Sequence, residues 1–236
     1  MKLFTRESHS GLFNQLKVFQ SNFIFRNRGL FDEMSPLESG GRTNILMKIL
    51  AIPATELKKI DKKNEAPVNF GFLGFTLAHE MSHFFDKDGW NIRFLLQQLT
   101  DKTHAQKMQC IAKQYNNNTK TTDDDFADFS GLEIAYRALE NKLGKRAMKM
   151  PVVEGHQFTN EQAFFISFAH NWCRKKEELG KNIGDVHSRG DLRILNPLKN
   201  SDTFAQAFNC PVGSPMNPVD KCRIWLPTPK NNPVPN

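Results

Sequence analysis

The sequence predicts a mainly helical α+β fold, gathered around one apolar helix that carries a polar trio and edged by a short strand. Three features carry that expectation. The stretch from Phe70 to Phe85 is mostly apolar, yet it holds His79, Glu80 and His83. Two further segments, Asp123 to Leu143 and the run after Thr159, carry helix-start signals followed by apolar faces. A short extended run, Ile49-Leu50-Ala51-Ile52, stops at Pro53, as suits an edge strand. With 236 residues, 39% of them hydrophobic and 20 of them Phe, the chain can bury a real core.

Taken in order, residues 1–45 include an amphipathic helix with Leu12, Leu16, Phe19 and Phe23 on one side. A loop rich in Gly and Ser follows around Ser35 to Arg42, and then the short strand. A charged linker from Lys58 to Glu65 leads to Pro67, where the apolar segment opens. The helix from Asp123 has acidic residues at its start, where the helix dipole favours them. Thr159-Asn160-Glu161-Gln162 is a capping box, and the helix behind it lines up Phe164, Phe165, Phe168, Ala169 and Trp172. Leu226 to Asn236, rich in Pro and Asn, reads as a loose tail.

The net charge of +7 is spread over scattered Lys and Arg, with no basic stripe interleaved with aromatics, which argues against nucleic-acid binding. No run approaches the ~20 apolar residues that span a bilayer. Met1 to Arg6 resembles the charged start of a signal peptide, but no apolar core follows it. Cys110, Cys173, Cys210 and Cys222 lie far apart with no CxxC pair, a pattern that fits disulfides or buried thiols rather than a metal knuckle. Asn117-Asn118-Thr119 is a glycosylation acceptor only in a secreted chain.

The chemistry concentrates in His79-Glu80-Met81-Ser82-His83. Residues four apart share a helix face, so both imidazoles can reach one metal ion. Glu80 is placed to take a proton from a metal-activated water. The pattern could arise by chance on a solvated helix, but Phe72, Leu73, Phe75, Leu77, Ala78, Phe84 and Phe85 surround it. Polar groups in such a segment are costly to bury unless a partner satisfies them, and a metal does so. A catalytic zinc site normally has three protein ligands. Asp124 and Asp128 share a face, so one can bind the metal while the other supports a ligand. Consecutive aspartates at a helix start also serve as solvated, dipole-complementing residues.

Several segments resemble, in order, the neprilysin and endothelin-converting-enzyme family of zinc metallopeptidases. Gly71 to Asp86 is similar to its zinc helix, Cys110-Ile111-Ala112-Lys113-Gln114-Tyr115 to its Cys-x-x-x-Gln-Tyr, and Asp124 to Asp128 to its Glu-Asn-x-Ala-Asp. Gly131 to Tyr136, Phe164 to Cys173, Asp185-Val186-His187-Ser188 with Arg193, Met216-Asn217-Pro218 and Cys222-Arg223-Ile224-Trp225 continue the likeness. It implies a thermolysin-like zincin (gluzincin) catalytic lobe over residues 49–225, after an N-terminal segment 1–48 and before a tail 226–236. It also implies one zinc ion per chain, held by His79, His83 and Asp124. Glu80 would be the general base, Asp128 the support of His79 and a proton donor, and His187 the donor to the oxyanion. Arg193 would bind the substrate backbone, with Asp185 and Asp86 in supporting places. Cys110 would pair with Cys222, leaving Cys173 and Cys210 without their family partners.

The departures are as specific as the matches. Asp124 is one methylene shorter than the family's glutamate, and Asp125 replaces its asparagine, adding charge beside the metal. The connection from His83 to Asp124 is shorter than the family's. The strand that holds substrate backbone has no recognisable counterpart, and the family's large N-terminal domain is absent. The resemblance therefore implies a zinc-dependent endopeptidase acting on small peptides, extracellular or at the cell surface. A missing N-terminal domain or a second chain would be its partner. A catalytically impaired member serving as a secreted binding module is the alternative.

Overall fold

The computed structural model describes residues 42–44, 49–53, 57, 65–86, 102–115, 120–151, 157–173 and 187–225. The expected helix around Leu12 to Phe23, most of the Lys58–Glu65 linker, the 226–236 tail and Asp185 lie outside them.

The strands come first. β1 (Arg42–Asn44) and β2 (Ile49–Ala51) form an antiparallel pair in which Thr43 faces Leu50. β2 matches the predicted edge strand, whereas β1 falls at the end of the predicted loop. A four-residue helix α1 (Ala66–Asn69) then starts on Pro67, whose fixed φ suits a first helical turn. The chain continues through a π turn, Phe70–Gly74, into α2 (Phe75–Ser82), and tightens to a 3₁₀ turn, His83–Phe85. The segment that carries His79, Glu80 and His83 is thus one rod with three pitches. At Gly71 a Cβ would stand 2.3 Å from the Phe164 carbonyl oxygen, so only glycine lets the π turn lie this close to the neighbouring helix.

α3 (Lys102–Gln114) precedes the long α4 (Thr122–Leu143), whose first turn carries Asp123, Asp124 and Asp125. α4 ends at Gly144, which has φ +83. After α5 (Lys145–Met148), the predicted capping box opens α6 (Asn160–His170): Thr159 accepts from the Gln162 backbone and Gln162 accepts from that of Thr159. α7 (Gly190–Asn200) and α8 (Asp202–Ala207) complete the described helices.

α4 runs through the molecule and divides its apolar side chains. Leu132, Ala135, Tyr136 and Leu139 pack on Phe75, Ala78, Phe164, Phe165 and Phe168. Nearer its start, Phe126 and Phe129 pack on Ile111, Tyr115, Cys222 and Ile224. The abundant Phe is used here, in edge-to-face pairs such as Phe75–Phe168 and Phe164–Phe165. Cys110 and Cys222 form the predicted disulfide, closing a separation of 112 residues between α3 and the irregular C-terminal segment. Cys173 and Cys210 are free thiols.

Candidate metal and catalytic site

The site lies where α2 meets the first turns of α4. Gly131 makes that meeting possible: a Cβ there would come 2.8 Å from the His79 backbone nitrogen and 2.9 Å from its Cα. With the helices this close, the imidazoles of α2 reach the carboxylates of α4. Asp124 Oδ1 lies 3.5 Å from His79 Nε2 and 3.9 Å from His83 Nε2. One donor atom from each of the three lies within 4.8 Å of the others. Ligands about 2.1 Å from a tetrahedral zinc stand roughly 3.4 Å apart. Two imidazole nitrogens and a carboxylate oxygen at these separations therefore fit such an ion, and the shortened Asp124 still reaches.

Second partners orient each imidazole. His83 Nδ1 donates to Asp86 Oδ2 at 2.8 Å, which leaves its Nε2 lone pair toward Asp124. His79 Nδ1 lies 2.9 Å from Asp128 Oδ1, close but not aligned as a hydrogen bond, and the contact is chiefly electrostatic. Asp128 is fully buried and is gripped from its other side by Arg193, whose Nε and Nη2 donate at 2.7 and 2.8 Å. The Arg193 guanidinium also sits 5.1 Å over the Trp172 ring. Trp172 and His79 both touch Phe75, so an aromatic and ionic chain runs around the first histidine.

The charges follow from these contacts. Burial alone would lower the pKa of His79, but Asp124 and Asp128 outweigh it and push the imidazole up to about 9. Burial works against the charge on Asp128 as well, yet Arg193 and His79 hold the carboxyl below its usual range. Asp124 is held down in the same way, against burial, by His79 with His187 and His83 nearby. Asp125 behaves differently. Its buried carboxyl accepts from Thr121 Oγ1 at 2.9 Å, but burial pushes it up to about 7.

Most of the predicted residues come together. Glu80 is buried at 7% exposure, and the Thr43 hydroxyl donates to its carbonyl oxygen at 2.7 Å and to Oε2 at 3.0 Å. His187 is half exposed, with Nε2 3.2 Å from Asp124 Oδ1. Arg193, expected at the substrate, spends two of its nitrogens on Asp128. Three contributors were missed in the sequence. Thr43 follows a glycine-rich stretch with no strand signal, and the sequence places Trp172 on an apolar face and in the Phe164–Cys173 segment without a role at the site. Gly131 sits in the Gly131–Tyr136 segment, where the sequence gives it no role.

The pattern of donors and bases now has a context. The model of peptidase family M13 matches residues 46–224. The chain belongs to that family. Neprilysin-2 of Caenorhabditis elegans is 36% identical over 198 residues, which is 75% of this chain and 27% of that protein. Endothelin-converting enzyme 1 of Rattus norvegicus is 34% identical over 177 residues, 67% of this chain and 23% of that protein. The chain thus spans about a quarter of the length of these M13 relatives. Among solved structures, the Mycobacterium tuberculosis zinc metalloprotease Zmp1 superposes with a TM-score of 0.71 at 25% identity, over 82% of this chain and 33% of that one. The architecture is accordingly the helical, zincin-like fold of M13 peptidases.

Proposed function

We propose that this M13 chain is a zinc-dependent metalloendopeptidase that hydrolyses peptide bonds of small peptides. The observation that carries the reading is the convergence of His79, His83 and Asp124 donors beside a buried glutamate on the same helix. In this reading the three residues hold one zinc ion, and Asp86 and Asp128 fix the imidazole orientations. When bound, zinc supplies Lewis acidity that makes water a nucleophile near neutral pH and polarises the scissile carbonyl. Glu80 takes the proton of the attacking water and returns it to the leaving nitrogen. His187, half exposed beside Asp124, donates to the oxyanion, and Asp128, gripped by Arg193, holds the Nδ1 side of His79 so that Nε2 faces Asp124. A remaining Arg193 nitrogen binds a substrate carbonyl.

The Cys110–Cys222 disulfide supports an extracellular or cell-surface setting, since such bonds persist in oxidising compartments. Among the described residues no helix is long and apolar enough to cross a membrane.

The test is metal analysis of the purified chain with cleavage of a peptide library. The enzyme reading expects one zinc per chain and chelator-sensitive cleavage that Glu80→Ala abolishes. Bound zinc without any turnover would sink it and leave a binding module.

A further inference from the structure

We propose that Thr43 is a positioning residue for Glu80, holding the carboxylate of the base from the edge strand; this rests on reading Glu80 as the base. One hydroxyl reaches both the carbonyl oxygen of Glu80, at 2.7 Å, and its Oε2, at 3.0 Å. A contact to the carbonyl alone would only fasten a strand to a helix. The second contact ties the side chain of Glu80 to its own backbone through a third group, and so selects one arrangement of three rotatable bonds. Free glutamate side chains lose considerable rotamer entropy when ordered, and a base that is already ordered loses none during the reaction.

The placement of Thr43 is itself secured. Its backbone faces Leu50 across the β1–β2 ladder, and its branched side chain is stiff at χ1. The contact to Oε2 fixes the direction in which the carboxylate points and leaves lone pairs on both oxygens to receive a proton. Both bonds go to Glu80 rather than to a metal donor, so the residue acts on the base and not on metal affinity.

The experiment compares the zinc-loaded full chain with Thr43→Val, which keeps the shape without the hydroxyl, and Thr43→Ser, which keeps the hydroxyl. It measures zinc affinity by chelator competition, thermal unfolding, kcat and KM on a cleaved peptide, and binding of acetohydroxamate. That small chelating acid gives its proton to a neighbouring carboxylate, so it reports on Glu80 without turnover. Thr43→Val is expected to lower kcat about tenfold and weaken acetohydroxamate about fivefold, with KM, zinc affinity and Tm unchanged. Thr43→Ser should recover most of both.

Unchanged kcat and acetohydroxamate binding in Thr43→Val overturns the proposal. So does a loss that moves in step with zinc affinity and Tm, because that is a structural effect. If the wild-type chain binds zinc but cleaves nothing, the peptidase reading fails on its own. Acetohydroxamate then still decides Thr43, since weakening by valine with recovery by serine supports the positioning role and no change overturns it. A chain that takes up no zinc overturns both.

Discussion

Gly131 lies against the backbone of His79 so closely that a methyl group would come 2.8 Å from the histidine nitrogen. That contact sets the distance between α2 and α4, and hence between the imidazoles and Asp124. Replacing Gly131 with Ala must push the helices apart at the metal site. Overpacking of this kind costs about 1–3 kcal/mol. Gly131→Ala should therefore lower the urea midpoint and also weaken zinc binding. An unchanged zinc affinity in chelator competition would show that the helix spacing is not what fixes the donors.

Asp128 joins two charged neighbours in a fully buried place, so its removal should act twice. Asp128→Ala leaves Arg193 without its bidentate partner and His79 without its support. Breaking a buried pair from one side costs about 3–5 kcal/mol, and losing the support of a ligating histidine costs about 10- to 100-fold in metal affinity. Unfolding and zinc titration of the same variant read the two losses separately. Adding Arg193→Leu to Asp128→Ala should restore part of the stability but none of the zinc affinity. Recovery of both would place the support of His79 elsewhere.

The disulfide should be a large contributor to stability. Closing a loop of this length constrains the unfolded chain by about 4–5 kcal/mol in the entropic model. Reduction, or Cys110→Ser with Cys222→Ser, should lower Tm markedly, because both cysteines lie at the packing of Ile111, Phe126 and Ile224. Alkylating Cys173 and Cys210 in the non-reduced protein should leave Tm nearly unchanged, as both are outside that contact. A small shift on reduction would mean that the folded state tolerates the open form.

Much of this arrangement is legible in the sequence because its signals are local. The His-Glu-x-x-His spacing, the capping box at Thr159 and the acidic start of α4 each depend on neighbours within one or two turns. The disulfide and the carboxylate roles required the family resemblance, since nothing in spacing alone selects Cys222 for Cys110. What could not be read depends on distant parts of the chain. Thr43 matters only because β1 folds onto α2, 37 residues away. The grip of Arg193 on Asp128 joins residues 65 apart in sequence, so no local pattern announces it. The π turn likewise answers to the Phe164 carbonyl, which a helical periodicity cannot anticipate.

Acid should loosen the irregular segment at Lys221 to Arg223 before the core. Asp202 accepts from Lys221 and Arg223, which together outweigh partial burial and hold its carboxyl below the usual range. A depressed carboxyl contributes stability above its unfolded pKa of about 3.9, and that contribution fades as pH falls through the folded value. Asp202 is 41% exposed, so screening limits the effect to about 0.5–1 kcal/mol. Wild type and Asp202→Asn should differ by a constant amount from pH 8 to about 5 and converge below about 4. A difference that grows toward acid pH would reverse the sign and discard the ion pair as its source.

Asp124 gives the most direct test of whether this site has adapted to its shorter carboxylate. Its Oδ1 stands 3.5, 3.9 and 3.2 Å from His79, His83 and His187 nitrogens, so one oxygen already stands at a point that suits donors around one ion. Asp124→Asn keeps the shape and removes the charge, and should weaken zinc by about 100-fold or more. Asp124→Glu adds a methylene and carries the oxygen past that point unless the side chain folds back into a strained rotamer. Donor groups tolerate displacements of only about 0.5 Å, so glutamate should bind zinc about tenfold more weakly than aspartate. Chelator competition on the two variants decides the matter. Tighter zinc in Asp124→Glu would mean that the site still has the spacing of a glutamate, and that Asp124 is the reason for any shortfall in activity.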